Sequence, residues 1–280
     1  MIVTLWGTRG SLATPGPDTA RYGGNTSCVS VHGREGTVLI LDAGTGIRPM
    51  AARLAPALRR VDILLTHLHM DHIQGLGFFD PLFRPDLEVH IWGPASTQLT
   101  LQARLMRYLS PPLFPVYIRE LPCHLHLHEV GEAEIDIGEF RVSAARVCHP
   151  GPTVGFRIRD AQAKVLTYLP DHEPALGALT FPVLPRAWTS GAILAEESDL
   201  LIHDSQYSAH EYHDRVGWGH SSMRHMLDFG SLVDAKHVVP FHHDPAHSDV
   251  DLDRLLSEAI EQAKPAFRVT PAREGATFRL

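Results

Sequence analysis

Seven consecutive residues, Thr66-His67-Leu68-His69-Met70-Asp71-His72, constrain this chain more than any other stretch. They follow Val61-Asp62-Ile63-Leu64-Leu65, an apolar run that reads as a buried strand, and precede Ile73-Gln74-Gly75-Leu76-Gly77, which reads as the first turn of a helix. Imidazoles and carboxylates are the donors that zinc and similar divalent ions prefer. On an extended segment side chains two apart share a face, so His67 and His69 can grip one ion. The chain then bends, which lets Asp71 and His72 point at a second. The alternative is a histidine-rich surface loop. So many donors straight after a buried strand argue against it.

The same context recurs further along the chain. His149, Asp171, Asp204 and His242 each follow an apolar run that reads as a strand. In open α/β sheets, functional groups collect beyond the carboxyl ends of strands. Residues distant in sequence are therefore expected to meet at one edge. Any one of them alone is more simply a surface or capping residue. Asp42 also ends a predicted strand, where it either hydrogen-bonds a ligand histidine or caps a turn.

The remaining periodicity predicts strands at 1–6, 28–32, 37–41, 87–92, 132–137, 140–147, 155–158, 164–169, 200–204 and 236–241. Strands 28–32 and 37–41 form a hairpin around Gly33-Arg34-Glu35-Gly36. Helices are expected at 47–60, with Met50, Leu54 and Leu58 on one face, at 96–109 capped by Ser96, at 221–233 and at 250–264. Residues 110–122 are proline-rich and irregular, and short strands close the tail from Phe267. His124, His126 and His128 alternate with leucines, which suits a strand with one polar face better than a metal site. Phe78, Phe79 and Phe83 either wall a cleft or pack in the core. No repeat, linker or domain boundary is evident, so residues 1–280 are read as one domain.

The H-x-H-x-D-H pattern resembles that of the metallo-β-lactamase superfamily, and the resemblance extends over nearly the whole chain. It implies a four-layer αβ/βα sandwich with metals at one edge of the two sheets. By this resemblance His67, His69 and His149 bind one ion, Asp71, His72 and His242 bind the other, and Asp171 bridges them. Adjacent residues on a strand face opposite ways, so only one of His242 and His243 can be a ligand. The likeness to ribonuclease Z-like enzymes favours His242. An aspartate rather than a cysteine at the bridging position disfavours a true β-lactamase. Gly217-Trp218-Gly219-His220-Ser221-Ser222 resembles the glycine-histidine-serine-threonine segment of the ribonuclease Z and phosphodiesterase branch, with Ser222 in place of threonine. In that branch the histidine faces the scissile phosphate and an acid on a preceding strand orients it. Asp204 occupies the acid's place, where the family usually has glutamate. His220, Asp204 and Asp71 are thus the expected catalytic residues. The stretch from Gly7 to Cys28 resembles the N-terminal signature of phosphodiesterase-like members, which lies beside the metal site and makes Asn25 a candidate substrate contact.

The implied function is a dinuclear metal-dependent phosphodiesterase for small phosphodiesters, with 3′,5′-cyclic nucleotides as leading candidates. The ions are expected to be zinc, with manganese or iron also suited to the donors. Two rivals remain: a carboxylic-ester or lactone hydrolase on the same metals, and a metal-binding regulatory module without turnover. The 19 histidines among 280 residues favour chemistry over a passive role. A net charge of -7 disfavours a nucleic acid held by bulk electrostatics. Ribonuclease Z enzymes of bacterial type carry a long arm between the third histidine and the bridging aspartate. Here two predicted strands fill that interval, so no stable nucleic-acid partner is expected. No leader and no long apolar run is seen, so no membrane partner is expected. The cysteines Cys28, Cys123 and Cys148 are odd in number and far apart, which predicts free thiols and a cytoplasmic location. A homodimer is compatible with all of this.

Overall fold

The computed structural model describes residues 1–178, 181–182 and 184–280. Its strand-forming runs pair into two sheets. The first holds β1 (Ile2–Gly7), β2 (Cys28–His32), β3 (Val38–Leu41), β4 (Arg60–Leu64), β5 (Glu88–Pro94), β6 (His124–Val130) and the C-terminal β14 (Thr277–Arg279), in the order β14-β1-β2-β3-β4-β5-β6. The second holds β7 (Ala133–Ile137), β8 (Phe140–Arg146), β9 (Val154–Arg159), β10 (Val165–Leu169), β11 (Leu200–Asp204), β12 (His237–Phe241) and β13 (Arg268–Val269), in the order β13-β12-β11-β10-β9-β8-β7. Each sheet has an antiparallel part and a parallel part: β3 to β6 run parallel in one, β10 to β13 in the other.

The core falls into three apolar layers. Val3, Leu39, Leu41, Phe140, Phe156, Tyr168, Ile202 and Phe241 fill the space between the sheets. Ile40, Ile63, Val89 and Ile91 point outward from the first sheet, onto α1 (Ile47–Ala51), α2 (Met70–Ile73) and α3 (Leu101–Leu105). Leu201 and Val238 point outward from the second sheet, onto α4 (Ala192–Ala195), α6 (Met223–Leu232) and α7 (Asp249–Ala263). A further short helix, α5 (Ala209–Tyr212), follows β11. The architecture is the expected αβ/βα sandwich. Strands β10 and β11 are buried along their whole length, as parallel strands covered on both faces must be.

The helices on the first sheet are shorter than their periodicity predicts. α1 stops at Ala51, and turns carry the chain on to β4. Pro56 has no N–H to give a helix interior and its ring clashes with the preceding turn. Leu54 and Leu58 still pack on the core, so the apolar pattern marked a buried face rather than a continuous helix. The 96–109 segment is helical only at α3. Its cap is Thr100, whose hydroxyl accepts from the Ala103 N–H at 3.2 Å, while Ser96 lies in the preceding loop. Glu129 of β6 accepts the Leu101 N–H at 2.6 Å, which satisfies a free donor of the first turn and locates the helix start. His124, His126 and His128 line one face of β6, where His128 stacks on Trp92 at 3.9 Å. Of the phenylalanines, Phe79 is fully buried, whereas Phe78 and Phe83 are exposed. Phe79 is thus a core residue and walls no cleft.

Candidate metal centre

The site forms where strand ends from both sheets meet. β4 delivers His67 and His69 on extended chain, and α2 starts at Met70, earlier than expected, so Asp71 and His72 occupy its first turn. The loop after β8 supplies His149, the end of β10 supplies Asp171, and the end of β12 supplies His242. Two groups of donors result: His67, His69 and His149, and Asp71, His72, Asp171 and His242. His69 Nδ1 lies 3.2 Å from His149 Nε2, and His72 Nε2 lies 3.3 Å from His242 Nε2. Two nitrogens on one tetrahedral zinc, each at about 2.0–2.1 Å, stand roughly this far apart. Asp171 lies between the groups. Its Oδ2 is 3.7 Å from both His67 Nε2 and His149 Nε2, while its Oδ1 is 3.0 Å from His72 Nε2 and 3.3 Å from His242 Nε2.

Groups behind the donors decide which ring nitrogen faces inward. A carbonyl or carboxylate only accepts, so the nitrogen it holds must carry the proton. His149 Nδ1 donates to the Gly219 carbonyl at 2.8 Å, and His72 Nδ1 donates to Asp42 at 2.8 Å. His242 Nδ1 meets Gln206 Oε1 at 2.9 Å, and His67 Nδ1 meets the Thr66 hydroxyl at 3.1 Å. In neutral His149, His72 and His242 this leaves the Nε2 lone pair directed into the centre. Second partners of this kind raise ligand basicity and hold the ring in place. Asp42 therefore takes the ligand-holding role; it also accepts from the Thr66 N–H and the Tyr168 hydroxyl.

The donor set fits divalent cations. The buried His67 Nε2 has no hydrogen-bond partner among the described residues, although buried polar atoms are nearly always paired. Burial pushes His67 well below its ordinary pKa and His149 down to about 4, which keeps both as lone-pair donors. Burial opposes the charge on Asp171, but His242, His72 and His67 outweigh it and hold the carboxyl well below the usual range. Burial likewise opposes charge on His72, and Asp171, Asp71 and Asp42 overcome it and raise the ring well above the ordinary value. So strong a demand for positive charge at one buried point is what a cation meets.

His220 stands beside this cluster. Its ring stacks on His242 at 4.9 Å, and its Nδ1 bonds Asp204 Oδ2 at 2.7 Å. Asp204 is itself fixed by the N–H groups of His172, Gln206 and Ser221. Burial lowers the His220 pKa, but Asp204 overrides it and the ring is pushed up to about 9. The shorter aspartate therefore still reaches the histidine. His243 turns the other way, toward the Ala272 carbonyl at 3.0 Å.

The structure brings together His67, His69, Asp71, His72, His149, Asp171, Asp204, His220 and His242. Asn25 is not among them: its amide is held by Glu274 at 2.9 Å. The N-terminal loop does touch the centre, but through Ser11, whose N–H donates to Asp71 at 2.8 Å, and through Gly10, which lies against His242. Sequence reasoning missed Gln206, Thr66 and Glu173. The buried Glu173 accepts the N–H groups of Gly217 and Gly219 and so shapes the turn before His220. Gln206 and Glu173 belong to no motif, and Thr66 opens the histidine-rich stretch without being a donor type; their position just beyond β11, β10 and β4 was the available signal. A cavity of about 360 Å³ adjoins His67 and His69. A larger one of about 680 Å³, lined by Arg141, Arg157 and Ile193, lies on the outer face of the second sheet and includes no residue of the centre.

Comparison with known proteins agrees with this geometry. A family described as "Beta-lactamase superfamily domain" matches residues 37–243. A ribonuclease Z of Thermococcus onnurineus is 25% identical over 288 residues, covering 88% of this chain and 87% of the relative. The crystal structure of human tRNase Z, short form, superposes with a TM-score of 0.69 at 22% identity, covering 100% of this chain and 99% of that one. A diphosphatase of the PhnP family superposes with a TM-score of 0.69 at 20% identity, covering 100% of this chain and 97% of the other. With its sheets, its strand-end donors and its matched family model, the chain belongs to the metallo-β-lactamase superfamily.

Proposed function

We propose that this protein is a dinuclear metal-dependent phosphodiesterase acting on small phosphodiesters, with 3′,5′-cyclic nucleotides as leading candidates. The observation that carries this reading is the Asp204–His220 pair beside two groups of converging donors. His67, His69 and His149 would hold one divalent cation, Asp71, His72 and His242 a second, and Asp171 both. Zinc suits these donors first, and manganese or iron also fits. When bound, such cations supply Lewis acidity toward the phosphoryl group and acidify water.

The chain's own residues do the rest. Asp204 holds His220 Nδ1, which leaves Nε2 as the nitrogen free to face substrate. In the metal-free protein burial opposes the charge on His220, but Asp204 outweighs it and raises the pKa to about 9, which favours the protonated ring as the donor of a proton from Nε2 to the leaving oxygen. Asp204 then stabilises the ring during transfer and cannot rotate, because three N–H groups fix it. The likeness to human tRNase Z raises transfer RNA as a substrate. The interval from His149 to Asp171 is filled by β9 and β10 and leaves no room for an arm, and the net charge is -7. Both favour a compact diester. The free thiols of Cys28, Cys123 and Cys148 suit a cytoplasmic enzyme.

The test is the rate of metal-loaded protein on cyclic AMP and on bis(p-nitrophenyl) phosphate, with and without His220→Ala. The variant is expected to keep its metal and lose roughly 10²–10⁴-fold in rate on the poor leaving group, and less on p-nitrophenolate, which needs little protonation. Equal losses on both would remove the acid role. Turnover of lactones with no phosphodiester cleaved would remove the phosphodiesterase reading.

A further inference from the structure

The cavity beside His67 and His69 is built unlike the metal centre it adjoins. Leu68, Ile73, Leu113, Pro150 and Pro152 give it a mainly apolar wall, backed by Tyr108. Tyr108 packs against Phe114 at 6.2 Å, and Phe114 packs against the exposed Phe78 at 6.1 Å. Two residues of the cavity, Met70 and Leu113, are 51% and 70% exposed, an unusual placement for large apolar side chains bordering a polar centre. A volume of about 360 Å³ lies at the low end of the ~300–1,000 Å³ usual for small-molecule sites. It suits one ring system and its attachment.

Two arginines border this cavity, and their situations differ. The guanidinium of Arg104 is engaged by the Pro94 carbonyl and by Glu129 at 3.4 Å. Arg107, three residues on and exposed, takes part in no ion pair among the described residues. A cation left unpaired at the mouth of an apolar cleft, in a chain of net charge -7, is available to a ligand. Guanidinium is also the side chain best matched to carboxylate and phosphate.

Resting on the phosphodiesterase reading above, we infer that this cavity is a specificity subsite for one substituent of the diester, a flat or apolar group bearing a second negative charge that Arg107 binds. The preferred substrates are then compact phosphodiesters with an additional carboxylate or phosphate rather than the neutral-substituent analogues.

Three diesters that release the same p-nitrophenolate test this: phenyl, 4-carboxyphenyl and 4-phosphonophenyl p-nitrophenyl phosphate, each with metal-loaded wild type, Arg107→Ala and Arg107→Lys. A charge-assisted contact predicts a 10-fold to 100-fold higher kcat/KM for at least one of the anionic esters over the phenyl ester in the wild type. The two anionic arms distinguish carboxylate from phosphate. Arg107→Ala is expected to abolish the preference by raising KM more for the anionic esters than for the phenyl ester, and Arg107→Lys to restore part of it. Leu113→Ala is expected to weaken all three aryl esters together. Cleavage of all three at one rate by the wild type, or an unchanged preference in Arg107→Ala, overturns the subsite and leaves the phosphodiesterase reading standing. Cleavage of none of them by fully metal-loaded protein overturns both.

Discussion

At the scale of single residues, the centre depends on groups that touch no substrate. The inward-facing nitrogens of His67, His72, His149 and His242 are aimed by what holds the opposite side of each ring, as Asp42 holds His72 and Gln206 holds His242. Packing aims His242 as well. A Cβ added at Gly10 would lie 2.3 Å from His242 Nδ1, far inside contact distance. Gly10→Ala must displace either the loop or the ring. Overpacking of this kind costs about 1–3 kcal/mol, and disturbing a ligand's support lowers metal affinity about 10–100-fold. Urea denaturation of the metal-free protein and competition with a chelating dye measure the two effects separately. Wild-type metal affinity in the variant would show that Gly10 does not position His242. The donors of the dense motif from His67 to His72 were legible in the sequence itself, whereas His149, Asp171 and His242, each after an apolar run, were singled out by the family resemblance. The supports of these donors were not legible, because one glutamine or glycine among many carries no periodic signal.

At the scale of elements, the turn from Gly217 to Ser222 places His220 and depends on a neighbouring carboxylate. Glu173, 1% exposed, accepts from Gly217 N–H at 2.9 Å, from Gly219 N–H at 2.7 Å and from the Tyr212 hydroxyl at 2.8 Å. Gly219 has φ +89° and its hydrogen faces Pro150 where a Cβ would come within 2.2 Å, so no other residue fits there without strain. Glu173→Gln replaces one accepting oxygen with a donating amide that confronts backbone donors. A loss of about 1–3 kcal/mol in folding stability is expected, together with a fall in kcat that exceeds any fall in metal content, since Glu173 reaches His149 only through the Gly219 carbonyl. Denaturant titration, turnover and metal analysis on one preparation check this; loss of metal in step with kcat would show that the turn serves the ligands instead. The helices at 47–60 and 96–109 were overextended in sequence for the complementary reason. Apolar periodicity reports burial, whereas Pro56 and the Thr100 cap decide where hydrogen bonding starts and stops.

At the scale of the whole molecule, the histidine content couples stability to pH. His203 and His225 lie outside the proposed ligand set, and burial lowers both to about 4. An unfolded histidine titrates near its ordinary value of about 6.5. Between that value and about 4 the unfolded chain therefore binds more protons than the folded one. Stability is complete above pH 6.5, falls as pH drops below it, and stops falling from this source below about 4. Each fully buried histidine contributes a slope of about 1.4 kcal/mol per pH unit in that window. Denaturation of metal-free protein between pH 7.5 and 5 is expected to show the loss, and His203→Asn to show a shallower slope. A variant as steep as the wild type would mean that His203 is not held neutral.

By itself, the sequence determined most of the strands and the residue types at their ends, while the two-sheet sandwich was an expectation carried by the family resemblance. Alternation and apolar runs are local records of burial, and ligand chemistry is a property of residue type. Only the tertiary structure decided which side chains share a point in space. Asp171 stands between two donor groups because β10 ends between the ends of β4 and β12 in three dimensions, a fact that no local pattern encodes. The same holds for Asn25, which looked free in sequence and is bound by Glu274, nearly the whole chain away. It holds for Arg107, whose neighbour Arg104 is paired across to β6 while it is not. Contacts between distant segments depend on how the sheets stack, and stacking is settled by the sum of the apolar surfaces rather than by any one stretch of the chain.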